Sequence, residues 1–163
     1  INPVEELNRC TEKYSIARNY IHVEITESAL ISTDTKLKKS MEEFRKCGYS
    51  LWLDDFGSGY SGLNVLKDFD FDMMKIDMVF LSQFVENKKS EPILDSVISL
   101  AKKIGMQTLT EGVETEAAYE FLKQSGCQFL QGYLFGKPME KSSFVSNVVN
   151  GTYKVSNVLL SVI

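Results

Sequence analysis

Three carboxylates and one lysine stand out for the chemistry they could do together: Glu24, Asp54, Glu111 and Lys75, with Asp55 directly beside Asp54. If these side chains converge, the acids repel one another and take up protons unless a cation relieves them. Hard divalent ions do this best, because Mg²⁺, Mn²⁺ and Ca²⁺ prefer oxygen ligands. Two such ions about 3.5 to 4 Å apart form the usual clamp for displacement at phosphorus. Lys75 would add a positive donor for the attacking water or the phosphate. A donor set without thiol or imidazole argues against structural zinc.

A second cue follows Asp54-Asp55 at once. The run Phe56-Gly57-Ser58-Gly59-Tyr60-Ser61-Gly62 places three glycines within six residues. Glycine lets a backbone take positive φ and approach a ligand closely. Such a loop taken alone is as readily a mobile turn, but the acidic pair before it points to a lid at a metal site.

The elements that must position these groups alternate. Segments 21–26, 49–55, 73–77, 107–111 and 128–135 read as buried strands, and helical periodicity lies between them. Leu37, Met41 and Phe44 mark one helix, with Asp34 as its cap and Gly48 as its stop. Ile93, Leu94, Val97, Ile98, Ala101 and Ile104 mark another, ending at Gly105. Ala117, Ala118, Phe121 and Leu122 mark a third, capped by Thr115 and stopped near Gly126. Val4, Leu7 and Tyr14 predict a helix ahead of the first strand. Side chains two apart share a strand face, so His22/Glu24, Trp52/Asp54, Met73/Lys75/Asp77, Leu109/Glu111 and Phe129/Gln131 form one polar-tipped face. The opposite face is apolar in Val23/Ile25, Leu51/Leu53 and Met74/Ile76, and weaker at Thr108/Thr110.

Repeated strand-helix units call for a parallel sheet with right-handed crossovers. Chemical groups on the ends of many successive strands fit the rim of a (β/α)₈ barrel, whereas an open sheet gathers its site at one switch point. The predicted class is therefore α/β: the C-terminal five units of a modified, TIM-type (β/α)₈ barrel. A whole barrel takes about 250 residues, so the 163 present leave roughly three units outside this chain.

Composition narrows the partners. The chain is 44% apolar and 25% charged with a net charge of −4, which excludes a disordered tail and disfavours a sheath for polymeric nucleic acid. No stretch reaches the roughly 18 apolar residues of a membrane span. Three scattered cysteines, Cys10, Cys47 and Cys127, form neither a disulfide framework nor a zinc pattern, and suit a reducing cytoplasm. A single histidine makes a Ser-His-Asp triad improbable.

Glu24-Ile-Thr-Glu27-Ser, the Asp54-Asp55 glycine loop, Lys75-Ile-Asp77, Glu111-Gly-Val-Glu114-Thr and Gln131-Gly-Tyr, in this order, resemble the EAL domain family. That family comprises bacterial cyclic-di-GMP phosphodiesterases with a modified (β/α)₈ barrel. The resemblance covers about residues 1–145 and leaves 146–163 as a tail of unassigned role. It implies that Glu24, Asp54 and Asp55 hold two metal ions, Mg²⁺ or Mn²⁺. It implies that Lys75 contacts the catalytic water and that Glu111 lies at the metal and water centre. Glu27 would anchor the glycine loop, with Asp77, Glu114 and Gln131 supporting the site or facing substrate. The implied reaction is in-line attack of a metal-activated water on one phosphodiester, giving linear pGpG. A homodimer, an attached sensor or cyclase (GGDEF-type) domain and a bacterial cytoplasmic setting, alone or beneath a membrane-linked sensor, are implied as well.

One departure stands against this reading. The Glu-Ala-Leu tripeptide that names the family does not occur in the sequence, nor does a family Asn ligand expected just before residue 1, so slow turnover by this chain alone is expected. Two other functions compete: a catalytically silent cyclic-di-GMP receptor, and a Schiff-base lyase using Lys75. Plainer roles exist for single residues too. Glu24 could pair with a lysine, Asp55 could begin a turn, and Lys75 could form a buried pair with Asp77. Gln131 reads either way. His22, Trp52, Met73, Met74 and Met78 read as core, and Lys36, Lys38 and Lys39 as a solvated helix face.

Overall fold

Apolar periodicity and caps place the helices. In the computed structural model, which describes residues 2–30, 35–57, 62–77 and 89–151, α1 (Pro3–Lys13) begins where Asn2 Oδ1 accepts the Val4 N–H at 3.0 Å. Pro3 occupies a position whose missing N–H costs nothing. α2 (Thr35–Lys46) buries Met41 and Phe44, α4 (Ser90–Lys103) buries Leu94, Ile98 and Ala101, and α5 (Glu116–Gln124) buries Ala118 and Leu122. Thr115 caps α5 by accepting the Ala118 N–H at 3.2 Å. Gly48 and Gly105 follow α2 and α4 with φ of +87° and +83°, the left-handed turn that ends a helix. The expected Asp34 cap lies outside the described residues, as do Met78, Ser58–Ser61 of the glycine loop, and 152–163.

Five parallel strands, β1 (His22–Thr26), β2 (Ser50–Phe56), β3 (Met73–Ile76), β4 (Gln107–Thr110) and β5 (Phe129–Leu130), pair in chain order. Monotonic order has a consequence. With every crossover right-handed, each connecting helix falls on the same side of the sheet. The core shows it: Leu51, Leu53, Met74 and Ile76 pack with Met41, Phe44, Leu94, Ile98 and Leu122 in one cluster. Trp52, Met73 and Leu109, with Phe129 against them, form a separate cluster on the other face. No reversal of strand order creates a switch point, so the arrangement is the wall of a barrel rather than a doubly wound sheet.

Thr108 and Thr110 sit on the helix-covered face and are fully buried. Buried hydroxyls need partners. Gln128 Oε1 accepts from both the Thr108 hydroxyl, at 2.7 Å, and the Thr108 N–H, at 2.9 Å. Thr110 Oγ1 shares a hydrogen bond with Cys127 Sγ at 3.3 Å.

The structure departs from expectation at several points: Ile93, Ile104 and Ala117, expected on core-facing helix stripes, are exposed at the margins of those stripes. β5 spans two residues rather than 128–135, because the chain turns back at Gln131 and hydrogen-bonds to Val113. Helices α3 (Gly62–Asp68) and α6 (Lys141–Val149) were not predicted. α3 is only seven residues long, and α6 buries no residue, so neither leaves a strong periodic signature; α6 runs through position 145. Tyr14 ends α1 with its ring mostly exposed. His22, expected in the core, is exposed on β1 and stacks on Trp52 with ring centroids 4.1 Å apart. Among the described residues no helix is long and apolar enough to cross a membrane.

Candidate active site

On the sheet face turned away from the helices, four adjacent elements each contribute one charged group. β1 presents Glu24, β2 Asp54, β3 Lys75, and the residue just past β4 is Glu111. Lys75 Nζ lies 3.0 Å from Glu24 Oε2, 2.8 Å from Asp54 Oδ1 and 3.0 Å from Glu111 Oε1. An ammonium carries three N–H donors, and here three carboxylates surround it. Burial works against the charged form of Lys75, but the hydrogen bonds it donates to Asp54, Glu24 and Glu111 outweigh it and hold the amine well above the usual lysine range. The three carboxylates therefore favour the charged form of Lys75 over the neutral amine that an imine-forming lysine must supply.

The charges do not balance. Three carboxylates face one ammonium, which leaves two negative charges over. Asp54 Oδ1 is fully buried, with the Lys75 ammonium 2.8 Å away. An all-oxygen donor set with excess negative charge fits a hard divalent cation. Even so, no three acidic, His or Cys side chains among the described residues stand together in ligating geometry; the three carboxylates are turned onto Lys75 instead.

A bulge re-aims the acidic pair. Between Leu53 and Phe56, β2 uses three steps where β3 uses two from Met74 to Ile76. Asp55 takes up the irregularity with φ of +56°. Aspartate tolerates this left-handed conformation better than branched residues do, and bulges of this kind recur beside functional sites. Burial raises the Asp55 pKa, the charges of Asp54 and Asp77 raise it further, and Lys75 pulls it back.

Glu27, in the short helical turn Glu27–Leu30 after β1, is 1% exposed. Its Oε2 accepts the Gly57 N–H at 3.0 Å, which ties the start of the glycine loop to the turn after β1. Asp77 is half-buried just past β3, with its N–H on the Phe56 carbonyl at 3.2 Å. Gln131 follows β5, donating its N–H to Thr110 at 2.9 Å and accepting from Val113 at 3.0 Å. Glu114 is exposed in the β4–α5 connection. Lys75 thus gathers Glu24, Asp54 and Glu111 directly, Asp55 and Asp77 are near enough to feel each other's charge, and Glu27 acts one loop away.

Sequence reasoning missed Gly132. A Cβ there would lie 2.1 Å from the Val113 carbonyl oxygen and 2.3 Å from its nitrogen. Close backbone approach therefore requires glycine in the Gln131-Gly-Tyr segment, the contact that packs the turn after β5 onto the loop after Glu111. The signal was the glycine itself, but its neighbour across the fold was invisible in the sequence.

With this geometry in place, likeness to known proteins can be weighed. Residues 3–138 match the EAL domain family. The cyclic di-GMP phosphodiesterase NbdA of Pseudomonas aeruginosa is 33% identical over 136 residues, covering 83% of this chain and 17% of that protein. The crystal structure of the EAL domain of Mycobacterium smegmatis DcpA superposes with a TM-score of 0.82 at 34% identity, covering 91% of this chain and 66% of that one. Klebsiella pneumoniae BlrP1, in a complex with manganese and cyclic-di-GMP, gives 0.78 at 30% identity over 83% of this chain and 34% of its own. The chain spans about a sixth of the length of NbdA. Motif order, the one-sided winding of the sheet and these matches agree, and the chain belongs to the EAL domain family.

Proposed function

We propose that this chain carries the catalytic rim of a metal-dependent phosphodiesterase that opens cyclic-di-GMP to linear pGpG. The observation that carries the reading is Lys75 Nζ lying within 3.0 Å of carboxylates from three other strand ends. The phosphodiesterase name of NbdA and the nucleotide and manganese bound by BlrP1 support the same substrate and a divalent cofactor.

Glu24, Asp54 and Asp55 would hold the metal, Mg²⁺ or Mn²⁺ as two ions. When bound, these ions would supply Lewis acidity and a water acidified enough to attack near neutral pH. The protein's own groups do the rest. Lys75, whose charged form the three carboxylates favour, orients the water and meets charge building on the phosphoryl oxygens. Glu111 is assigned to the metal and water centre and also pairs with Lys75. Glu27 fixes Gly57 and with it the entry of the glycine loop. Asp77, Glu114 and Gln131 are assigned to support or to the substrate side. A homodimer, an attached sensor or cyclase domain and a bacterial cytoplasmic setting extend the same reading.

A second reading is a binding module without turnover, favoured by the lack of a Glu-Ala-Leu tripeptide in these 163 residues. One assay separates them: cyclic-di-GMP binding by calorimetry beside pGpG formation by chromatography, with and without Mn²⁺. Mn²⁺-dependent pGpG supports the enzyme, and Lys75→Ala should then lower kcat by about 10²-fold or more while leaving nucleotide affinity within a few-fold. Binding without product supports the module. Neither binding nor product overturns both.

A further inference from the structure

Every ion pair that Lys75 makes uses an oxygen that a cation at this rim would also want. We propose that Lys75 is a built-in competitor for the divalent cation, holding Glu24, Asp54 and Glu111 together and weakening the rim's hold on metal; this rests on the reading that the rim binds such an ion. An ammonium sits 2.8 to 3.0 Å from the three carboxylate oxygens. A divalent ion binds such oxygens at about 2.0 to 2.6 Å. One oxygen cannot face both at full strength, and the two cations repel across the shared acids.

Burial decides which partner yields. The Lys75 side chain is 10% exposed and rooted in β3, flanked by β2 and β4, so it stays. Asp54 is 18% and Glu111 27% exposed, while Glu24 is 43% exposed. Solvent weakens the Glu24 pair most. Glu24 is the arm that turns from lysine to metal, and Asp54 and Glu111 keep the lysine seated. The arrangement also explains how three clustered acids coexist in the fold: the lysine holds them until the metal enters.

Removing the positive charge should tighten metal binding, the opposite of what loss of an ordinary supporting residue does. Lys75→Met keeps a chain of similar length without the charge. Calorimetric titration of Mn²⁺ into the parent chain and into Lys75→Met should show a Kd lower by about tenfold or more in the variant, the size expected when a unit charge is removed near a screened site. An equal or weaker Kd in a variant with native circular dichroism overturns the competition. Absence of Mn²⁺ binding in both chains instead overturns the divalent-cation reading beneath it. A measurement on the unsubstituted chain is independent of whether the variant folds. With ¹⁵N-labelled lysine and the Lys75 signal assigned through Lys75→Arg, titration with diamagnetic Mg²⁺ should move the Lys75 Nζ resonance with the same midpoint as binding. A resonance that stays still while Mg²⁺ binds overturns the proposal.

Discussion

At the scale of single residues, the site is a problem in charge placement. Lys75 lies in the interior of a parallel sheet, where an unpartnered ammonium would be costly, and it is tolerable there because β1, β2 and the end of β4 supply carboxylates. Glu27 is a different case: a carboxylate with 1% exposure that accepts a backbone N–H from the glycine loop. Replacing Glu27 with Ala removes the acceptor of the Gly57 amide in a closed environment. A loss of about 1 to 3 kcal/mol is expected, together with faster hydrogen exchange at Gly57. Glu27→Gln retains an acceptor oxygen and should fall between the two. If the Gly57 amide exchanges at the same rate in Glu27→Ala, the anchoring role is wrong.

At the scale of elements, much was legible and the omissions have physical reasons. Strands were readable because burial reverses between alternate residues. Leu51 and Leu53 face helices while Trp52 faces the other cluster, and Met73 and Met74 divide in the same way. The bulge was not readable, since an Asp-Asp pair looks the same in a regular strand as in one with an extra residue. Strict alternation would send Asp54 and Asp55 to opposite faces, whereas the irregularity brings the charge of Asp55 within reach of Asp54, Asp77 and Lys75. Nor was the lysine's partnership readable, for the sequence offered Asp77 as its nearest acid and only the inter-strand register brings in the other three. α6 escaped notice because a helix that buries nothing has no apolar stripe to read. The Gly132 contact tests the β4–β5 junction directly. Gly132→Ala would drive a methyl into the Val113 backbone, and the overpacking should cost about 1 to 3 kcal/mol in denaturant unfolding. A variant as stable as the parent would mean that this junction gives way easily.

At the scale of the whole molecule, the monotonic strand order leaves two unequal faces, one sealed by helices and one carrying the charged rim. Stability therefore resides on the helical side, and chemistry on the other. Leu51 is fully buried in the helix-side cluster, so Leu51→Ala should lower the free energy of unfolding by about 2 to 5 kcal/mol. The denaturant dependence should be unchanged if the loss is confined to the folded core; a cost below 1 kcal/mol would mean that the cluster carries little of the fold. The rim has its own weak point. Glu24 is the most open to water of the three acids on Lys75. Were its side chain to swing into solvent, the lysine would keep two anions instead of three. Any contact that holds or releases this one arm would then retune the pocket's electrostatics without touching a buried residue.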